Sequence, residues 1–359
     1  MSYRVLIEFP WRFVDSQYYR NLILYPPENI FYINKINKNV GLITNPRRFL
    51  VYHKTKGIFR FALSKSKISI PILKFRRYKN VDLVHGARCI PLYNNSVIDA
   101  EYYISLFYNY DKPFSDSIML KILSRKNIKK ILPWTYASYY SFPDKIRKIL
   151  KEKFEVVYPA VPRPKVKKLK HDKLTVLFIG RYFYAKGGLY ALKLFEKLKK
   201  EYDIRTILIS MTIPDSLYNK YSKIIEIYKS VSSEKLYDEI YPSTDILFYP
   251  GFSDSFGFAF VEALSYGIPI ITYDGFSRRE IIEDGKEGFV IDKIEDKKIM
   301  FKINEKLFNE FYEKIKELID NPSLLKEFSR NAYKKYEEKF SIEVRNKKLK
   351  EIYEEAIGY

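Results

Sequence analysis

The chain has 359 residues, 47% hydrophobic, 17% aromatic and 30% charged, which is enough apolar material for two domains and too much for a disordered polymer. One cysteine, Cys89, excludes an internal disulfide, and the three histidines His53, His85 and His171 form no Cys/His cluster with zinc-ligand spacing, so no metal is expected. The net charge of +21 is uneven, with residues 1–160 carrying +17 and residues 161–359 only +4.

No run approaches the roughly 18–20 apolar residues that span a bilayer. The opening MSYRVLIEFPWRF reads as a strand where a signal peptide would need its apolar region and cleavage site. The expectation is a cytoplasmic protein in a reducing setting, either free or peripheral at the inner face of the membrane.

In chain order, short apolar runs alternate with amphipathic stretches, the pattern of βαβ units and parallel sheets. The first half offers strands at 5–9, 49–52, 81–84, 102–107, 128–132 and 155–158. Between the halves, YPAVPRPKVKKLKHDK has proline spacing that neither a helix nor a central strand tolerates, and marks a linker. The second half gives a strand at 174–180, a helix at 187–200 and strands at 204–210 and 224–228. A run from Ser233 to Ile240, a strand in DILFYP, a helix from about Phe256 to Tyr266 and a strand at 268–273 follow. The tail from about Lys306 reads as Lys/Glu-rich helices. Three segments result: 1–160 and 161–340, each a doubly wound α/β domain, and 341–359, a C-terminal helix. Tandem doubly wound domains facing across a cleft suit a two-substrate enzyme.

Two constellations carry chemistry. Gly180-Arg181 follows a strand directly, and Lys186-Gly187-Gly188 opens the next helix. Lys186 precedes the glycines and no Ser or Thr follows, so this is no P-loop. Two cations beside a helix N-terminus still suit a diphosphate, a solvated basic loop being the alternative. In the second constellation, a loop and helix hold Asp254, Ser255-Phe256-Gly257-Phe258 and Glu262. First-turn N–H groups favour a phosphate. Flanking carboxylates accept hydroxyls, as a ribose and a sugar would provide. The alternative makes Asp254 a helix cap and Glu262 a partly buried helix residue.

Together, GR-x(4)-KGG, the E-x(7)-E-like spacing, GIPII and EIIEDGKEGFVI resemble the retaining glycosyltransferases of family 4, also called group 1, strongly over 174–291 and in outline elsewhere. The resemblance implies the GT-B fold: α/β, two Rossmann-like doubly wound parallel-sheet domains facing across a cleft, with 1–160 the acceptor domain, 161–340 the nucleotide-sugar donor domain and 341–359 a helix crossing back to the first domain. It implies that Arg181 and Lys186 bind the donor diphosphate, that Glu262 binds ribose, and that Asp254 contacts the donor sugar. Backbone N–H groups around Phe256, Gly257 and Phe258 would hold phosphate, and Ser230-Val231 would lie near the base. Asp254 departs from the family's usual glutamate by one methylene. The glycine-rich loop common after the first strand is here Glu8-Phe9-Pro10-Trp11-Arg12, where Arg12 is either a phosphate ligand or a surface arginine. His85 ends a strand, as a structural or a site histidine, and YYISLFYNYD lacks the histidine that many members carry.

The implied reaction moves a hexose from a UDP- or GDP-linked sugar to a hydroxyl of a lipid-linked or glycan acceptor, with anomeric retention and with no cofactor or metal. Alternatives are another GT-B enzyme, such as an epimerase or inverting transferase, and a basic nucleic-acid-binding α/β protein, although no nucleic-acid motif is present. Residues 29–81 hold 13 Lys+Arg and no acid, interleaved with aromatics, a surface for an anionic or lipid-linked partner.

Overall fold

The computed structural model describes residues 2–10, 16–34, 69–108, 115–296 and 298–358. Arg12, His53, the run at 49–52 and most of the basic stretch 29–81 lie outside them. The chain divides into two compact units, one formed by Met1–Pro162 with Ile342–Tyr359 and the other by Arg163–Ser341.

In the first unit, β1 (Tyr3–Glu8), β2 (Ile30–Tyr32), β4 (Leu83–Ala87), β6 (Ser96–Ala100) and β7 (Ile128–Pro133) form a parallel sheet in the order β2-β1-β4-β6-β7. The short strands β3 (Leu73–Lys74) and β5 (Ile90–Pro91) pair separately. Strands buried on both faces read as apolar runs, and Val5, Ile7, Leu83, Val84, Val97 and Ile98 are all at 0–1% exposure. From β1 the chain steps to β2 on one side and later to β4 on the other. The sheet therefore reverses direction between β1 and β4, where open α/β sheets place their ligands at the carboxyl ends.

The second unit is a six-stranded parallel sheet, β10 (Glu226–Tyr228), β9 (Arg205–Ile209), β8 (Thr175–Ile179), β11 (Ile246–Tyr249), β12 (Ile270–Tyr273) and β13 (Gly288–Ile291), in that order. Counted from β8 this is the doubly wound order 3-2-1-4-5-6, whose reversal lies between β8 and β11. Helix Gly188–Glu201 shows why the sequence folds so locally: Tyr190, Ala191, Leu194, Phe195 and Leu198 form one apolar stripe, and all are buried. They pack with Phe178, Leu208, Phe248 and Phe311 in one core. Each such side chain contributes about 1.5–3 kcal/mol on burial.

Some expected elements shift. Residues 102–107 are no strand; a 3-10 turn occupies Tyr103–Leu106, and the strand is the preceding Ser96–Ala100. Its Asp99 masked it, being a fully buried acid satisfied by side-chain partners. Residues 155–158 run beside β7 through Glu155 N to Ile131 O (3.0 Å) and Val157 N to Pro133 O (2.9 Å) but form no named strand. Pro159 and Pro162 follow at once and cannot donate to a ladder. The run 233–240 contains a π-helical turn, Lys235–Ile240. The helix expected from Phe256 begins at Phe258, because Gly257 at φ +82° caps it in the left-handed region. Among the described residues no helix is long and apolar enough to cross a membrane, and no group of three or more His, Cys, Asp or Glu is placed to hold a metal ion.

Candidate functional site

The sheet reversal of the second unit brings two loops side by side. One follows β8 and holds Gly180, Arg181 and Lys186; the other follows β11 and runs from Pro250 to Gly257. They are sewn together by backbone: Gly251 N donates to Lys186 O (3.0 Å), and Phe252 N and Ser253 N donate to Ala185 O (2.9 and 3.1 Å). Gly187 permits the seam, since at φ +82° a Cβ there would sit 2.6 Å from Pro250 Cβ. Thr212, after β9, steadies the first loop by accepting from Phe183 N at 2.9 Å.

Lys186 and Asp254 meet directly, Nζ to Oδ2 at 3.0 Å, with both side chains only 13–14% exposed. Nζ also donates to Ser253 O (2.7 Å), and the Tyr249 hydroxyl donates to Asp254 Oδ2 (2.7 Å). Asp254 Oδ1 accepts from Ser255 N (2.9 Å), so the carboxylate sits in the loop ahead of the helix. Burial and the neighbouring Asp254 charge push the Tyr249 phenol well above its ordinary range, so it stays a donor. Arg181 is exposed, and its charge reaches Tyr249. Buried Arg278 braces the loop from below by donating to Gly251 O and Tyr273 O, and Ser277 Oγ donates to Ser255 O (3.0 Å).

Glu262 is 6% exposed on helix Phe258–Ser265 and is held by Tyr237 (2.7 Å to Oε1) and Tyr241 (2.8 Å to Oε2). These tyrosines stack on each other, and Tyr241 stacks on Tyr266. Phe256 and Gly257 are buried in the loop, and Phe258 opens the helix. Ser230, exposed, and Val231, half-buried, lie beyond the end of β10. Tyr237, Tyr241 and Tyr249 were missed by sequence reasoning. The available signal was Tyr237 and Tyr241 four residues apart, one turn of a helix.

His85 lies in the first unit, fully buried. Its Nε2 bonds Asp99 Oδ2 (2.9 Å) and its Nδ1 faces the Tyr353 hydroxyl (2.6 Å), which in turn faces Tyr32 (3.0 Å). Tyr19 donates to Asp99 Oδ1 at 2.7 Å. With both ring nitrogens engaged, this histidine joins a closed structural network.

Residues 163–335 match the family described as Glycosyl transferases group 1. The matched segment, just under half of the chain, is similar to that family. The chain is 24% identical over 197 residues to the capsular polysaccharide biosynthesis glycosyltransferase CapM of Staphylococcus aureus, covering 53% of this chain and 48% of that protein. It spans about half the length of the curated relatives it matches. A glycosyltransferase from Rickettsia africae shares its fold, with a TM-score of 0.61 at 14% identity over 99% of both chains. So does Alr3699/HepE of Anabaena, solved in complex with UDP-glucose, with a TM-score of 0.59 at 12% identity over 97% of this chain and 98% of that one. The fold is GT-B, and the matched segment holds the Lys186–Asp254 pair, the tyrosine-held Glu262 and the adjoining Arg181.

Proposed function

We propose that the protein is a retaining glycosyltransferase that moves a hexose from a UDP- or GDP-linked sugar to a hydroxyl of a glycan or lipid-linked acceptor. The observation that carries this reading is the partly buried Lys186–Asp254 pair at the sheet reversal, where two tied loops put a cation and a carboxylate on one spot. Arg181 and Lys186 bind the diphosphate and stabilise its charge as it leaves, a role that requires no metal. Asp254 accepts from the sugar's hydroxyls, Glu262 accepts from the ribose, and backbone N–H groups of Phe256, Gly257 and Phe258 receive phosphate oxygens. Ser230 and Val231 border the base.

The bond from the anomeric carbon to the phosphate oxygen breaks while the bond to the acceptor oxygen forms on the same face. The acceptor's proton passes to the departing phosphate oxygen. The UDP-glucose complex of the HepE neighbour supports UDP as the first nucleotide to test.

The test is turnover of UDP- and GDP-sugars, with the product's anomeric configuration read by NMR. Transfer with retention, unaffected by EDTA and lowered by about 10²–10³-fold in Arg181→Ala or Lys186→Ala, is the expected result. Full activity in both variants overturns the site assignment, and an inverted product overturns the stereochemistry.

A further inference from the structure

The first unit carries a second reversal, between β1 and β4, and one side chain there has an unmet requirement. Glu8 is the last residue of β1 and lies opposite Gly86 of β4. It is 7% exposed. Its Oε1 accepts from the Tyr78 hydroxyl at 2.8 Å, but Oε2 is buried with no hydrogen-bond partner. A carboxylate withdrawn from water and left half-satisfied is rarely tolerated without a use, because burial removes its hydration and nothing replaces it. The surroundings add positive charge. Lys74 donates to Pro10 O, two residues past Glu8 (3.3 Å), and the Arg76 guanidinium lies 5.0 Å from the Tyr78 ring. The Cys89 thiol donates to the Glu8 carbonyl (3.1 Å), fixing the strand end from the other side.

We infer that Glu8 Oε2 is the acceptor-hydroxyl receptor of this protein, and that its acceptor is a carbohydrate bearing an anionic group that Lys74 and Arg76 attract. Two independent observations meet here: sheet topology places a ligand crevice at this strand end, and the carboxylate lacks the one hydrogen bond that a hydroxyl would donate. The inference rests on the glycosyl-transfer reading for the word acceptor. The site itself rests on Glu8.

The experiment uses the full chain as wild type, Glu8→Ala, Glu8→Gln and Arg76→Ala. Methyl β-D-glucuronide and its uncharged analogue methyl β-D-glucoside are titrated by calorimetry, and UDP is titrated separately by thermal shift. The wild type is expected to bind both glycosides and to prefer the glucuronide. Glu8→Ala is expected to weaken both by roughly tenfold or more, the scale of a hydrogen bond to a charged group. Glu8→Gln keeps most of the binding, since an amide still bonds a hydroxyl, and Arg76→Ala loses only the preference for the anion. Wild-type binding of both glycosides by Glu8→Ala, binding of neither by the wild type, or a soaked crystal with only a water at Oε2 overturns the inference. A UDP shift without glycoside binding removes this inference alone. Glu8-dependent glycoside binding without a UDP shift removes the transfer reading and leaves the carbohydrate site standing.

Discussion

Lys186 and Asp254 are each useful because the other is there. The ammonium and the carboxylate meet at 3.0 Å in a partly buried loop, where the lysine also donates to Ser253 O. Lys186→Met should lose turnover by about 10²–10³-fold and also lower the melting temperature, because a mostly buried carboxylate loses its cation even though Tyr249 and Ser255 N still donate to Asp254. Parallel melting and rate measurements check both. Glu8 offers a pH test of opposite character. Burial raises its carboxyl above the ordinary 4.5, outweighing Tyr78, Lys74 and Arg76, which lower it. Because the folded state holds that proton more tightly than the unfolded chain, the stabilisation is complete below the unfolded value and is lost as pH rises through the folded one. Glu8→Gln should raise the melting temperature at pH 8, by the equivalent of about 1 kcal/mol, and the gain should fade toward pH 4. Residue types were legible in the sequence, but pairings were not. Nothing in the spacing joins Lys186 to Asp254, or Glu262 to Tyr237 and Tyr241, because tertiary packing makes those bonds.

Among elements, the loops matter more than the strands they follow. Gly187 and Gly257 both sit at φ +82°, one letting two loops touch and the other setting where the helix begins. Gly187→Ala adds left-handed strain and a Cβ against Pro250, so the seam must open. Nucleotide affinity, measured by calorimetry, is expected to fall by more than the melting temperature implies, because the seam lies at the site and the core does not depend on it. Strands with clean apolar runs, such as LTVLFIG and IRTILIS, were readable, and their parallel order follows from alternation with helices. The strand SVIDA was not, since a buried aspartate looks like a loop until its partners are known. The late start of helix Phe258–Ser265 was hidden for a similar reason: a glycine can cap a helix through its own backbone angle, which composition does not reveal.

Across the whole molecule, charge and topology divide the labour. The first 160 residues hold +17 of the net +21. Binding to vesicles of phosphatidylglycerol but not phosphatidylcholine, abolished by 0.5 M salt, is the expected outcome if that charge docks the protein on an anionic surface, because screening shortens to about 4 Å. Indifference to lipid charge would count against such docking. The α/β class was legible from the alternating runs, whereas the two reversals at β1/β4 and β8/β11 emerge only once strand order is known.

Helix Ile342–Ile357 belongs with the first unit, where Tyr353 completes the bonds of His85 and buried Arg345 donates to Tyr25 O at 2.7 Å. A ribosome thus releases the opening portion long before its closing piece exists, and the interposed 163–341 can finish folding while its predecessor still waits. Pulse-labelled nascent chains should show protease resistance arising in the middle of the polypeptide before its beginning.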